Sequence, residues 1–258
     1  MSALILVQAG HAWASAWNPV PWGGELITGY IFAEASEAID DQGDRFGLDI
    51  YSKRIVQTYG NLGLTSRLAL IGTFDWQDTQ IDQPGLAIAF SEPSSVSAGL
   101  QYQLSRREGH AVALSASYVS SIDLPEELLT LENRESALEL RGLWGESRTI
   151  YGRNAFAELQ LAGRMTLAGR HAGTSAQLTV GADPFSRTQL LAKLRHTNIE
   201  PGEYAGFDIG RQSRWEMEAS GVYRIRKQDF IELGYTSVVG GRSAVLEGGW
   251  KIGYWRKF

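Results

Sequence analysis

The chain has 258 residues, no cysteine and a formal net charge of −5. This length suits one large domain or two small ones, and the lack of cysteine excludes disulfides, thiolate metal ligands and cysteine nucleophiles. Because there is no basic surplus to hold a phosphate backbone, we expect no nucleic-acid partner. No run of about 18 apolar residues occurs, which excludes a membrane-spanning helix but not spanning strands.

The first sixteen residues differ in character from the rest of the chain. The apolar run "ALILVQA" is followed by the small residues Ala14, Ser15 and Ala16. This order is typical of a secretory signal peptide cleaved before Trp17, although only two residues precede the apolar run and neither is basic. We therefore predict a signal peptide over residues 1–16 and one mature domain over residues 17–258.

Alternation of apolar and polar residues is the dominant pattern after residue 24. In "RWEMEASGVYRIR", for example, Trp215 and Met217 fall on one face and Glu216 and Glu218 on the other. Such a period of two predicts β-strands. Most of the segments span 10 to 15 residues, which is longer than the usual soluble strand of about 5–6 and suits a tilted membrane strand of about 9–11. Twelve segments carry the pattern: 25–36, 48–64, 67–78, 95–106, 109–120, 135–147, 154–167, 174–183, 187–197, 212–226, 229–239 and 243–257.

The connections between these segments alternate in length. Those after even-numbered segments are mostly short, such as "RREG" and "DPFSR", and most of those after odd-numbered segments are longer and polar, such as "TQIDQPGLAIAFSEPS" and "SIDLPEELLTLENR". Short turns at one end and long loops at the other are typical of outer-membrane barrels. The sequence thus predicts an all-β fold, a single antiparallel transmembrane β-barrel of about twelve strands with periplasmic turns and extracellular loops.

Period two alone also fits a soluble β-sandwich or a lipocalin-like barrel, in which the apolar face would point inward. Strand length, loop asymmetry and the signal-like start favour the membrane barrel. Trp76, Trp144, Trp215 and Trp250 lie toward the ends of their segments on the apolar face. Such positions are typical of the aromatic girdles at the two membrane interfaces.

The last residues, "GYWRKF", continue the alternation to the end of the chain. They resemble the C-terminal strand of the Gram-negative outer-membrane β-barrel class, with Arg256 standing where an apolar residue is commoner. This resemblance implies the outer membrane of a Gram-negative bacterium as the location, with its lipid and lipopolysaccharide and the barrel-assembly machinery as partners. It also implies an assembly signal made of Trp250, Ile252, Tyr254 and Phe258. The pattern "AW…GGE…GY" within residues 16–30 resembles that of transporter-like barrels associated with aromatic-degradation pathways.

The face opposite the apolar one is rich in charges of both signs, and in a membrane barrel it lines the lumen. A balanced wall selects weakly for the sign of an ion. The charges either pair across a narrow lumen and close it, or line a polar, water-filled pore. The predicted pore-lining residues are Asp75, Glu139, Arg141, Glu158, Arg164, Lys193, Arg195, Glu216, Glu218, Arg224, Arg226, Glu232, Glu247 and Lys251.

Sequence motifs for catalysis are absent. His110, His171 and His196 lie in no zinc-type spacing, and there is no GxSxG elbow or phosphate-binding loop. We therefore predict no catalytic residue, no metal and no cofactor. The favoured function is a porin-like channel or transporter for small solutes. The alternatives are a lipid- or peptide-cleaving outer-membrane enzyme with an unrecognised site, and a closed structural or surface-binding barrel.

Overall fold

The fold is a closed barrel of antiparallel β-strands. The computed structural model describes residues 15–83, 86–122, 134–167, 172–200, 202–204, 207–209 and 211–258. Within these ranges no helix is long and apolar enough to cross a membrane. The strands in chain order are β1 (Gly24–Glu34), β2 (Glu37–Ile39), β3 (Arg45–Gly47), β4 (Ile50–Gly63), β5 (Leu68–Gln83), β6 (Leu86–Arg107), β7 (His110–Ile122), β8 (Arg134–Ile150), β9 (Arg153–Thr166), β10 (Ala172–Phe185), β11 (Thr188–Ile199), β12 (Gly202–Tyr204), β13 (Phe207–Ile209), β14 (Gln212–Arg224), β15 (Asp229–Arg242), β16 (Ala244–Val245) and β17 (Gly248–Lys257).

Twelve of these strands form the barrel, in the order β1-β17-β15-β14-β11-β10-β9-β8-β7-β6-β5-β4. Each is paired with its neighbours along the chain, and β1 closes the sheet by pairing with β17. Closure leaves no sheet edge with unpaired backbone groups. The predicted all-β fold, a twelve-stranded antiparallel barrel, is confirmed.

The two ends of the barrel differ, as the sequence predicts. At one end, which we call the turn end, the connections are short. Tyr151 and Gly152 form the two-residue turn between β8 and β9 with φ of 50° and 73°, the positive values that a tight hairpin turn requires. The opposite end, the loop end, carries the longer connections, including the small sheet of β16, β2 and β3.

Residue burial alternates along the barrel strands. On β14, Trp215 and Met217 point outward and are exposed, whereas Glu216 and Glu218 point inward and are buried. The outer face is therefore apolar and the inner face polar, which is the reverse of a soluble barrel. The soluble sandwich and lipocalin-like alternatives do not fit this arrangement.

Two sequence expectations about strand boundaries are wrong. The predicted final strand, 243–257, begins only at Gly248, because Ala244 and Val245 pair with β2 in the loop-end sheet. The stretch 79–94, expected as a loop, mostly continues strands β5 and β6, which pair as far as Gln83 and Leu86. Both errors arise because local alternation does not identify the pairing partner of a short apolar stretch.

The predicted signal peptide lies outside the described residues except for Ser15 and Ala16. These two residues lie inside the barrel, where Ala16 is fully buried, and the predicted cleavage before Trp17 would remove them. Residues 123–133, most of the predicted loop after β7, and His171 lie outside them as well.

Candidate functional site

The barrel interior is the candidate functional site, because inward side chains from all twelve barrel strands converge on it. Most of the predicted pore-lining residues are buried or half-buried at this inner wall: Asp75, Glu139, Arg141, Glu158, Arg164, Lys193, Arg195, Glu216, Glu218, Glu232 and Lys251, with Glu247 just above them at the loop end. Arg224 and Arg226 are the exceptions. Strand β14 ends at Arg224, so both arginines lie exposed at the turn end, where the inward and outward alternation has stopped.

Lys251 forms the most deeply buried group of charges. Its Nζ lies 2.9 Å from Glu218 Oε1 and 3.0 Å from Glu232 Oε1, and Lys193 Nζ lies 2.9 Å from the same Glu218 oxygen. The strand register places Lys193 on β11 directly opposite Glu218 on β14. The register partner of Lys251 on β15 is Gly234, and because Gly234 has no side chain, Lys251 can extend over it to reach Glu218. Two carboxylates and two ammonium groups therefore neutralise one another within the wall.

A second chain of ion pairs leads from the wall toward the loop end. Glu216 contacts Arg195 and Arg214, each at 3.2 Å, and Arg214 and Lys53 each lie 3.5 Å from Glu247. Burial alone would raise the pKa of Glu247, which lies outside the barrel strands, but the Lys53 and Arg214 cations outweigh it and lower that pKa below its ordinary value. Glu247 is thus held in its charged form.

The other side of the lumen has a smaller group. Glu139 contacts Arg141 at 2.5 Å and Arg164 at 3.1 Å. Asp75, on β5, accepts a hydrogen bond of 2.8 Å from the Ser95 hydroxyl. Most lumen charges are thus paired with neighbours along the wall, and few reach across the interior.

A chain segment that the sequence analysis did not identify lies inside the barrel. We call residues 15–19, which precede β1, the inner segment. Ala16 is fully buried in a cluster with Ile27, Tyr59 and Leu143 and the small side chains of β7. Gly145 makes room for the segment as well, since any Cβ there would collide with the Trp17 ring.

Glutamine side chains hold the inner segment by its backbone. Gln101 Nε2 donates to the Ser15 carbonyl at 2.7 Å, and Gln103 Nε2 donates to the Ala16 carbonyl at 2.9 Å. Gln103 Oε1 also accepts a 2.8 Å hydrogen bond from the Asn18 backbone nitrogen. These bonds satisfy peptide groups that would otherwise be buried without partners, so the segment is a specific part of the closed lumen.

A cap covers part of the loop end. We call β2, β3 and β16 the lid. Its residues Ala38 and Val245 pack with Tyr51 and Ile81, which point inward from β4 and β5. The Tyr51 hydroxyl donates a 2.7 Å hydrogen bond to Glu247, two residues beyond β16. The same Glu247 that ends the ion-pair chain therefore also fastens the lid.

Between the inner segment and the wall lies a cavity of about 320 Å³ near the turn end. We call it the turn-end cavity. Aromatic rings of Trp17, Phe156 and Trp255 line it, together with the carboxylates of Glu25 and Glu158. Glu25 was not predicted to line the lumen, because the alternation of apolar and polar residues is blurred in the first strand. A cavity of this size is within the range of small-molecule sites.

The described histidines and acidic side chains do not form a metal site. Within the ranges that the structure describes, no group of three or more His, Asp or Glu side chains is arranged to hold a metal ion. His110 and His196 contact the rings of Trp144 and Trp215, with ring centroids 6.2 and 4.3 Å apart. These are ordinary aromatic contacts.

No protein-family model matches the sequence, and no curated protein matches it. Solved structures of the same fold exist. An outer membrane channel of the COG4313 group from Pseudomonas putida F1 is 15% identical, with a TM-score of 0.67 over 98% of this chain and 100% of the other. The NanC porin is 10% identical, with a TM-score of 0.56 over 90% and 100%. The translocator domain of the autotransporter NalP from Neisseria meningitidis is 10% identical, with a TM-score of 0.55 over 92% and 88%. At these identities the likeness establishes the fold.

Proposed function

We propose that the protein is an outer-membrane channel for small solutes, held closed by its inner segment. The observation that carries the proposal is a polar lumen filled, over its turn-end part, by residues 15–19. Gln101 Nε2 donates a 2.8 Å hydrogen bond to Asn18 Oδ1, and Gln103 Oε1 accepts a 2.8 Å hydrogen bond from the Asn18 backbone nitrogen. These two amides therefore hold the part of the segment that follows the predicted cleavage before Trp17, through hydrogen bonds that water could replace. The channel and porin among the structures of the same fold agree with this function.

The outer face supports a membrane location. Exposed apolar side chains such as Leu100, Leu140 and Leu161 cover it, and a surface of this kind is stable only against lipid. We place the turn end in the periplasm and the loop end outside the cell. The lipid of the outer membrane and lipopolysaccharide then contact the barrel, which belongs to a Gram-negative bacterium.

Assembly involves the last strand. Trp250, Ile252 and Tyr254 point outward from β17, and Phe258 is bound to Gly24 by two backbone hydrogen bonds of 2.9 and 3.0 Å. We propose that these four aromatic and apolar residues are read by the barrel-assembly machinery before β17 pairs with β1. Deletion of Phe258 should therefore reduce the amount of protein in the outer-membrane fraction.

Single-channel recording in a planar bilayer tests the channel function. The wild-type protein should show small or infrequent conductance steps, because the inner segment fills the lumen. The double variant Gln101→Ala, Gln103→Ala removes the amides that hold the segment and should increase the mean conductance several-fold. Gln77→Ala is the matched control, since that buried amide bonds Thr79 on its own strand.

Three results are informative. Higher conductance in the double variant than in wild type and control supports gating by the inner segment. Equal conductance in all three proteins contradicts the assignment of the segment as the barrier. If folded and inserted proteins all remain silent, the barrel is closed, and the structural or surface-binding alternative replaces the channel.

A further inference from the structure

The turn-end cavity contains two carboxylates that lack a cationic partner. Glu158 is 6% exposed, and its oxygens accept hydrogen bonds from the Ala16 backbone nitrogen at 2.9 Å and from Gln160 at 2.7 Å. Glu25 accepts a 3.2 Å hydrogen bond from Asn61. In the chain that retains Ser15 and Ala16, no cationic side chain among the described residues forms an ion pair with either carboxylate.

Most lumen carboxylates, in contrast to Glu25 and Glu158, do have a cationic partner. Glu139, Glu216, Glu218, Glu232 and Glu247 each contact one or more lysine or arginine side chains. A buried carboxylate with only neutral donors is costly, and the cost falls when a cation binds beside it. Glu25 and Glu158 therefore leave the cavity short of positive charge.

The lysines near the cavity do not remove this shortage. Lys193 lines the cavity, but its Nζ lies 2.9 Å from Glu218, which neutralises it. Lys257 also lines the cavity and is the register partner of Glu25, so its charge offsets part of the charge of that carboxylate; its Nζ lies exposed at the rim, 5.4 Å from the centre of the Phe230 ring. The buried Glu158 is therefore the carboxylate of the cavity that has no described lysine or arginine beside it.

Aromatic rings form the remaining walls and are held in place. Phe156 packs over Gly181, where any Cβ would collide with the ring, and Trp17 packs over Gly145 in the same way. Trp255 donates a 3.1 Å hydrogen bond from its indole to Glu232, which fixes its orientation. Fixed aromatic faces beside carboxylates attract organic cations through the ring quadrupole and through burial of the apolar part.

From this combination we propose that the turn-end cavity binds a small organic cation, an ammonium group attached to an apolar body about as large as one aromatic ring. The ammonium group lies between Glu25 and Glu158, and the apolar body packs against Trp17, Phe156 and Trp255. This inference rests on the proposed channel function, because it names the class of solute that the channel takes.

Direct binding to the folded full-length protein in detergent tests the inference without any need for conduction. The probes are 2-phenylethylamine, 2-phenylethanol and 3-phenylpropionate, which share a ring and differ in charge. Calorimetry should show the amine binding about tenfold more tightly than the alcohol, as expected for one charge-assisted hydrogen bond. The propionate should bind more weakly than either.

Variants identify the groups responsible. Glu158→Gln should lower the affinity for the amine about tenfold and leave that for the alcohol unchanged. If Glu158→Gln fails to fold, Glu25→Gln provides the same test. Asp75→Asn, which changes another buried lumen carboxylate outside the cavity, should bind the amine as wild type does. Phe156→Leu should weaken the binding of both amine and alcohol.

Equal affinity for the three probes, tighter binding of the propionate, or no effect of either glutamate substitution would overturn the inference. Conductance separates this failure from failure of the channel proposal. A conducting protein that does not prefer the amine remains a channel for another solute. A protein that binds the amine but stays silent in bilayers has a cation site without the proposed channel function.

Discussion

Replacing Lys251 with methionine probes the buried charge group at the centre of the wall. The substitution removes the ammonium group with its charge and its hydrogen-bond donors, and it leaves an apolar side chain that is one atom shorter. Lys251 is about 1% exposed and contacts Glu218 and Glu232. Removing one partner from a buried ion pair typically costs about 3–5 kcal/mol, because the remaining charge is left without compensation.

The contacts that both carboxylates keep indicate a loss of stability at the lower end of that range. Glu218 keeps Lys193 at 2.9 Å, and Glu232 keeps hydrogen bonds from the Ser220 hydroxyl at 2.7 Å and the Trp255 indole at 3.1 Å. We therefore expect the free energy of unfolding to fall by about 3 kcal/mol in Lys251→Met. Adding Glu232→Gln removes the carboxylate left without a cation and should recover roughly half of this loss.

Guanidinium unfolding of the barrel in phospholipid vesicles, followed by tryptophan fluorescence, measures both changes. The double-mutant cycle gives the coupling between Lys251 and Glu232, which should be on the order of 1–3 kcal/mol. If Lys251→Met unfolds within about 0.5 kcal/mol of wild type, a change usual for exposed sites, the lumen is wet enough to solvate both carboxylates. The reasoning from burial would then be refuted.

Two further predictions test the outer face and the lid. Residue 116 points outward, so Ala116→Arg should lower the free energy of unfolding by about 2–4 kcal/mol and assemble poorly. Residue 117 points inward opposite Glu139, so Ser117→Arg should reach the outer membrane normally. Equal assembly of the two variants would contradict the assigned inward and outward faces of β7. Cysteines replacing Ala38 and Val245, register partners in a chain without cysteine, should form a disulfide that lowers conductance until a reductant is added. Unchanged conductance in the oxidised form would show that solutes do not pass beneath the lid.

Most of the barrel was predictable because alternation is a local property. Each inward glutamate and outward tryptophan on β14 can be assigned from its neighbours alone. The ion pairs required the register as well, since Lys193 meets Glu218 only because β11 and β14 pair in one particular alignment. A one-residue slip of β14 would turn Glu216 and Glu218 to the outer face and leave Lys193 without its partner.

The inner segment could not be predicted, for a physical reason. Its first two residues, Ser15 and Ala16, have the pattern of a signal-peptide end, its stretch "SAWN" shows no periodicity, and its partners are remote in the chain. Ala16 bonds Glu158, which is 142 residues away, and Asn18 bonds Gln103, which is 85 residues away. Such contacts exist only after the barrel has closed, and the small inward residues Ala111 and Ala113 that make room for the segment fit any tightly packed wall.

The inner segment is also covalently tethered to the pore that it fills. Only residues 20–23 separate it from β1, and they form a tight turn in which the Gly23 nitrogen donates a 2.9 Å hydrogen bond to the Val20 carbonyl and exposed Trp22 has a φ of 63°. A linker this short keeps a displaced segment at an effective concentration on the order of millimolar. A solute present at micromolar concentration must therefore bind the lumen about a thousandfold more tightly than the segment does to keep it out. In the proposed channel the tether therefore favours the closed state, and closure requires no other protein.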